Sequence, residues 1–205
     1  MKPRVGVIDY SVNNINSIVK FLEQLEIDYK VINNSKDILN FGFIILPGVG
    51  SFNQGIKNLS IGKFDVEISK HVKLGNYLMG ICLGMQLLFQ ESEEYLGISG
   101  LNLIPGSCYK IPNLGVKVPH IGWNEIIINN HSKLLSKNLD KNFLAYFVHS
   151  YFTKPKDESI ITSMTMHGLK FCSSIEYENI FGFQFHPEKS FDFGVDIFKS
   201  FMSLK

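Results

Sequence analysis

Arginine is almost absent from this sequence: 20 of its 205 residues are Lys or Arg, and only Arg4 is an arginine. Without a cluster of guanidinium forks, any phosphate or carboxylate it holds must sit mainly on backbone N–H groups or lysines. Neither sign of charge is in excess, with 19 Asp+Glu against those 20 cations, so there is no basic field to mark a nucleic-acid or membrane surface. Cysteine is scarce too. Cys82, Cys108 and Cys172 are far apart, odd in number and without C-x-x-C, which disfavours a disulfide framework or a zinc cage and fits a reducing cytoplasm. No metal and no cofactor are expected. Long hydrophobic runs are missing as well: the first one ends at Asp9, too early for a signal-peptide core, and none approaches the roughly 18 residues of a membrane span. The expectation is a soluble cytoplasmic chain with no nucleic-acid or membrane partner.

What is present is a succession of short apolar runs that end in loops. Val5-Gly6-Val7-Ile8 stops at Asp9, and Ile15, Ile18, Val19, Leu22 and Leu25 then recur at helical spacing. Phe41 to Leu46 runs into Pro47-Gly48-Val49-Gly50, as a strand buried on both faces and leading to a tight loop would. Tyr77 to Ile81 is a second such strand, followed by a helical stretch with Met85, Leu87, Leu88 and Phe89. From about residue 100 the runs become β-like: 116–118, 125–128, 144–148, 160–166, 171–175 and 181–185. Phe193 to Leu204 returns to helical periodicity. The pattern predicts one α/β domain over 1–205, with a parallel core and an antiparallel β annex. Ligands of such sheets gather at the carboxyl ends of the strands, where the loops around Asp9, Gly48 and Cys82 lie.

Gly80-Ile81-Cys82-Leu83-Gly84 has the form of a nucleophile elbow, with cysteine between a strand and a helix. At such a turn the sulfur projects from the sheet edge near a helix N-terminus, which favours thiolate over thiol. Spacing alone leaves two readings open, a reactive Cys82 or a small buried hydrophobe. Cys108 and Cys172 have no elbow and read as buried.

A nucleophilic cysteine needs a base, and there are six histidines. His186 follows the alternating Phe181-Gly182-Phe183-Gln184-Phe185, which delivers it to the sheet edge. Pro187 biases His186 toward extended geometry, where residues two apart point the same way, so Glu188 is placed to orient the ring. His71, in a charged helical stretch, reads as a solvated surface residue. His149 ends another strand, Tyr146-Phe147-Val148, and is a secondary candidate for the site. For the tetrahedral intermediate, Leu83 N–H is the usual first donor after an elbow nucleophile, and the Pro47 to Gly50 loop is a source for the second.

Together, Leu46-Pro47-Gly48-Val49-Gly50-Ser51-Phe52, Gly80-Ile81-Cys82-Leu83-Gly84-Met85-Gln86, Lys117-Val118-Pro119-His120-Ile121-Gly122-Trp123-Asn124, Phe147-Val148-His149-Ser150-Tyr151 and Gln184-Phe185-His186-Pro187-Glu188-Lys189-Ser190 resemble the HisH family. These are glutaminase subunits of imidazole glycerol phosphate synthase, within the class I glutamine amidotransferases. The resemblance runs through the chain in order. It implies a flavodoxin-like parallel sheet flanked by helices, and a Cys82–His186–Glu188 triad that hydrolyses glutamine. It further implies an oxyanion hole from the N–H groups of Val49 and Leu83, and a glutamine site of Gly50, Gln86, Ser150 and Tyr151.

The motifs use the whole chain, whereas a barrel-type acceptor enzyme needs roughly 250 residues of its own. The synthase must be a second chain, which the resemblance identifies as a HisF-type (β/α)8 barrel cyclase in a heterodimer. Asn13, Trp123, Asn124, Tyr146 and Lys189 match or neighbour the family's docking positions. One departure stands out: the family's first loop reads Asp-Tyr-Gly-x-Gly-Asn, and here it is Asp9-Tyr10-Ser11-Val12-Asn13-Asn14. Both glycines are gone from a loop that faces the synthase. A paralogue feeding ammonia to a HisF-like synthase that amidates a surface-polysaccharide sugar would use the same catalytic residues and is the alternative expectation.

Overall fold

A computed structural model describes residues 4–11, 15–129, 132–135 and 143–205. Five strands run parallel in the order β2 (Tyr29–Ile32), β1 (Val5–Ile8), β3 (Phe43–Leu46), β4 (Tyr77–Ile81) and β12 (Ile180–Phe183). Every residue of β1, β3 and β12 is buried, which is why β1 and β3 are unbroken apolar runs and not alternating ones. Helices cover both faces. On one, Ile18 and Leu22 of α1 (Ile15–Gln24) pack with Ile197, Phe198 and Phe201 of α5 (Phe191–Met202). On the other, Phe52 and Leu59 of α2 (Phe52–Ile61) and Phe64 and Ile68 of α3 (Phe64–Lys73) share a second cluster with the elbow segment.

The antiparallel annex is a continuation of the same sheet. From β12 it proceeds through β11 (Leu169–Tyr177), β10 (Ile161–His167), β7 (His120–Ile128) and β8 (Phe143–His149). A branch leaves β11 through β9 (Tyr151–Pro155) to β6 (Gly106–Lys110) and β5 (Glu91–Ser92). Loops of the parallel half and strand ends of the annex therefore meet at one edge.

Three expectations need correction. Residues 116–118 form bends and no strand; they precede Pro119, which has no N–H to offer a ladder. Phe181 to Phe185 is a strand only as far as Phe183, because the chain then turns toward β8. His71 is fully buried, not solvated. Phe64, Ile68 and His71 occupy successive turns of α3 and form its inward stripe, and His71 Nε2 reaches Tyr77 O at 3.2 Å.

Candidate active site

The elbow is built as its sequence predicts. Cys82 leaves β4 at φ +54°, ψ −111° and caps the short helix α4 (Leu83–Leu87). Such a backbone is costly for a residue with a Cβ and persists only where its surroundings enforce it. Here they do: Cys82 N–H donates to Phe183 O at 2.7 Å and Cys82 O accepts Gln86 N–H at 3.2 Å. A Cβ on Gly84 would collide with the Leu46 carbonyl, so the second glycine of the motif is what lets α4 pass against the end of β3. The helix is shorter than its sequence suggests; Leu88 and Phe89 continue past it as core residues.

His186 is carried by a bridge to β8, with its N–H on Tyr146 O at 2.8 Å. Its Nδ1 lies 2.8 Å from Glu188 Oε1, and both side chains are shut away from solvent. Glu188 gets there differently from the extended geometry inferred above: Pro187–Lys189 is a 3-10 turn that folds the carboxylate back onto the ring. Ser190 braces this turn by donating to His186 O at 2.6 Å and accepting Tyr146 N–H at 3.1 Å. Burial opposes a charge on His186, but hydrogen bonds to Cys82 and Glu188, together with their negative charges, outweigh it and push the imidazole up to about 10. At neutral pH the ring is therefore an imidazolium. In the other two cysteines, burial raises the Cys108 thiol and pushes Cys172 up to about 12. Both are held as thiols.

Cys82 opens into a cavity of about 260 Å³. Val49, Gly50, Leu83, Gln86, Ser150 and Tyr151 all line it, whereas His186 and Glu188 are not among its lining residues. Gln86 is held from both sides, its Nε2 donating to Tyr151 O at 2.9 Å and to Gln184 Oε1 at 3.0 Å. Val148 O and Gln184 Nε2 approach the Cys82 sulfur at 3.8 and 3.9 Å. Four lining residues, Glu94, Pro119, Val148 and His149, were not assigned to the site from the sequence. His149, left there as a secondary candidate, lines the wall. Glu94 was missed altogether; its Oε2 accepts Phe52 N–H at 2.8 Å, and it is the carboxylate among the lining residues. No motif marks Glu94, since only the β5 turn brings it under the loop after β3.

The two candidate oxyanion donors are not aligned. Leu83 N–H is bonded to Gly48 O at 3.3 Å. A trans peptide sets its N–H opposite its C=O, so the Val49 N–H points away from the space beside Cys82. Gly50, at φ +114°, follows in a conformation that suits glycine.

A cluster of aromatics lies on the outer side of His186. Trp123 and Tyr146 face each other across β7 and β8 with rings 5.0 Å apart, and Lys189 Nζ sits 5.3 Å above the Tyr146 ring. Phe191, 71% exposed, stacks on Trp123, itself 53% exposed. Asn124 is beside them on β7, where it donates to Met166 O at 2.9 Å. Asn13 lies outside the described residues. Before it, Ser11 takes φ +63°, the left-handed geometry that glycine would adopt without strain. Among the described residues no group of three or more His, Cys, Asp or Glu is arranged to hold a metal ion, and no helix is long and apolar enough to cross a membrane.

The sequence pattern of the family "Glutamine amidotransferase class-I" matches residues 6–202. The "Imidazole glycerol phosphate synthase subunit HisH" of Aquifex aeolicus (strain VF5) is 40% identical, over 97% of this chain and 95% of that one. The protein of the same name from Bacillus subtilis (strain 168) is also 40% identical, over 98% and 96%. Among solved structures, "Structure of PurLQS from Thermotoga maritima" aligns with a TM-score of 0.78 at 21% identity, covering 98% of each chain. A "Crystal structure of glutamine amidotransferase" aligns at 0.76 and 18%, covering 98% and 99%. At these identities the two structures speak for the fold alone.

Proposed function

Because the chain belongs to the HisH subunits of the class I glutamine amidotransferases, we propose that it hydrolyses glutamine at Cys82 and passes the ammonia to a separate (β/α)8 barrel cyclase of the HisF type. It is a glutamine amidotransferase by family, and the HisH name of its relatives favours imidazole glycerol phosphate synthesis in histidine biosynthesis over a polysaccharide sugar as the destination. The observation that carries the mechanism is the buried Cys82–His186–Glu188 arrangement, with the imidazole held as its cation.

The steps follow from that charge state. The Cys82 thiolate attacks the side-chain carbonyl carbon of glutamine, and the carbonyl oxygen takes the negative charge. The His186 imidazolium gives its proton to the departing nitrogen, the C–N bond breaks, and ammonia leaves a thioester on Cys82. Neutral His186 then accepts a proton from water as the water attacks the thioester. Collapse expels the thiolate, releases glutamate and restores the ion pair. Glu188 keeps Nδ1 protonated and stabilises the cation throughout. Gly50, Gln86, Ser150 and Tyr151 hold the substrate, and the Glu94 carboxylate offers its ammonium a counter-charge.

In the state described here this cycle is stalled at its first step, since Leu83 N–H is occupied by Gly48 O and the Val49 N–H is turned away. Rotation of the Gly48–Val49 peptide would exchange a blocking carbonyl for a second donor. The partner supplies the reason to rotate. It docks on Trp123, Asn124, Tyr146 and Lys189, and Tyr146 is the residue whose backbone carries His186. The decisive assay combines the purified chain with the cyclase of the same organism and its nucleotide acceptor. Glutamate and imidazole product should then appear in equal amounts, and glutamate release should be far faster than from the chain alone. A cyclase that neither binds the chain nor stimulates it would overturn the partner.

A further inference from the structure

His120 and His149 are directly opposed in the β7–β8 register, and both are almost fully buried. Their rings are joined by a 3.0 Å contact between His120 Nδ1 and His149 Nε2. On its other side His149 Nδ1 is 2.8 Å from Tyr151 O, and a carbonyl oxygen only accepts. His149 therefore carries its proton on Nδ1. Burial is the main force lowering His149 to about 3 and His120 to about 4, with neighbouring histidine charges adding to it, so both rings are neutral and each carries a single N–H. His149 Nε2 must then be a lone pair, and His120 Nδ1–H must be the donor to it. The lone pair left on His120 Nε2 faces Asn124 Nδ2 at 3.2 Å. Every proton in the chain from Asn124 to Tyr151 thus has one direction.

We propose that His120 is a positioning residue for the glutamine pocket: it locks His149 in the Nδ1–H tautomer, and His149 thereby clamps the Tyr151 carbonyl and the wall of the cavity it belongs to. The proposal rests on the glutaminase reading above. Tyr151 O receives two donors, His149 Nδ1–H and Gln86 Nε2–H, one from each side of the cavity. With the opposite tautomer, a His149 lone pair would face that carbonyl and repel it. Two neutral imidazoles inside an aromatic box are also not what simple filling of space selects; apolar side chains of the same shape would serve stability as well. The box holds the ring planes: His120 stacks on Phe147 at 4.7 Å and on His167 at 4.0 Å, while His149 contacts Phe171 at 5.1 Å. His167 in turn is tied by Nε2 to Lys117 O at 2.9 Å. Neutrality of His149 serves the chemistry too, because a cation there would sit beside the His186 imidazolium.

Two variants in the complex with the cyclase separate the donor from the volume. His120→Leu fills the space and gives no hydrogen bond; His120→Asn keeps an N–H near the Nδ1 position. His120→Leu should raise KM for glutamine about three- to tenfold, the net worth of one lost hydrogen bond, with kcat and ammonia-dependent synthesis close to wild type. His120→Asn should restore KM. An unchanged KM in His120→Leu, or equal impairment of both variants, would overturn the proposal. Nitrogen-15 imidazole spectra of the full chain give a second reading: His120 and His149 should both be protonated at Nδ1, and an Nε2–H form of either would overturn it. A wild-type complex that hydrolyses no glutamine would remove the glutaminase reading instead, while the spectra would still decide the tautomers.

Discussion

The carbonyl of Gly48 accepts the N–H of Leu83 at 3.3 Å, so a loop after one strand occupies the donor that a neighbouring elbow holds for a developing oxyanion. The isolated chain should therefore turn over glutamine poorly, although its cysteine and its imidazolium are already in place. Loss of one oxyanion donor costs on the order of 100- to 1000-fold in rate, and partner plus acceptor should recover at least that much. Glutamate release measured with and without them checks this; a chain that is fully active alone would show that Gly48 is no block.

Cys82→Ala should abolish glutamine-dependent synthesis by the complex and leave synthesis from added ammonia intact. Only the hydrolytic half needs the sulfur. Loss of both activities would mean that Cys82 is structural or that the partner is wrong.

Glu188→Gln keeps a hydrogen-bond acceptor for His186 Nδ1 but removes the charge. The His186 cation would be less favoured, and its protonation midpoint would fall from about 10 toward lower pH. The expected result is a drop in kcat/KM of about 100-fold or more, with the alkaline limb of the pH profile moved to lower pH. An unmoved limb would count against the ion pair.

Glu94→Gln should leave thermal stability near wild type, because the amide oxygen still accepts Phe52 N–H. Without the carboxylate, the substrate ammonium loses its counter-charge. KM for glutamine should rise by about tenfold or more, and steady-state kinetics with an unaltered KM would reject this role.

Acid should weaken the fold. His149 and His120 are lowered from 6.5 to about 3 and about 4, and burial lowers His71 as well. These rings stay neutral when folded, while in the unfolded chain they take up protons as pH falls through 6.5. Their contribution is complete above 6.5 and is lost progressively from there down to about 4 for His120 and about 3 for His149. His186 has the opposite sign, with stability present below 6.5 and lost as pH climbs toward 10. Melting temperature should fall by about 5 °C or more between pH 7 and pH 5; a flat or rising curve would contradict the burial of these neutral histidines.

How far the sequence reached follows from the range of the forces involved. Buried strands announce themselves as apolar runs because both faces of a parallel sheet are covered, and β1, β3 and β4 were legible for that reason. The elbow was legible because its strain, its glycine and its nucleophile are set by five consecutive residues. The branch of β5, β6 and β9 carried weaker signals, being short and partly exposed. His71 was misread because its charged neighbours hid an inward stripe that only helical phase reveals.

What the sequence by itself determined is the local chemistry: a cysteine on a strained turn, a histidine and a carboxylate two residues apart, and loops at the carboxyl ends of apolar strands. What only the tertiary structure decided is how groups distant in the chain set each other's state. The Gly48 carbonyl on Leu83 N–H, Glu94 beneath the loop at Phe52, and the proton order from Asn124 through His120 and His149 to Tyr151 all join separate elements. Hydrogen bonds are short and directional, so a sequence can supply their donors and acceptors, but packing to within a fraction of an ångström chooses which of them meet.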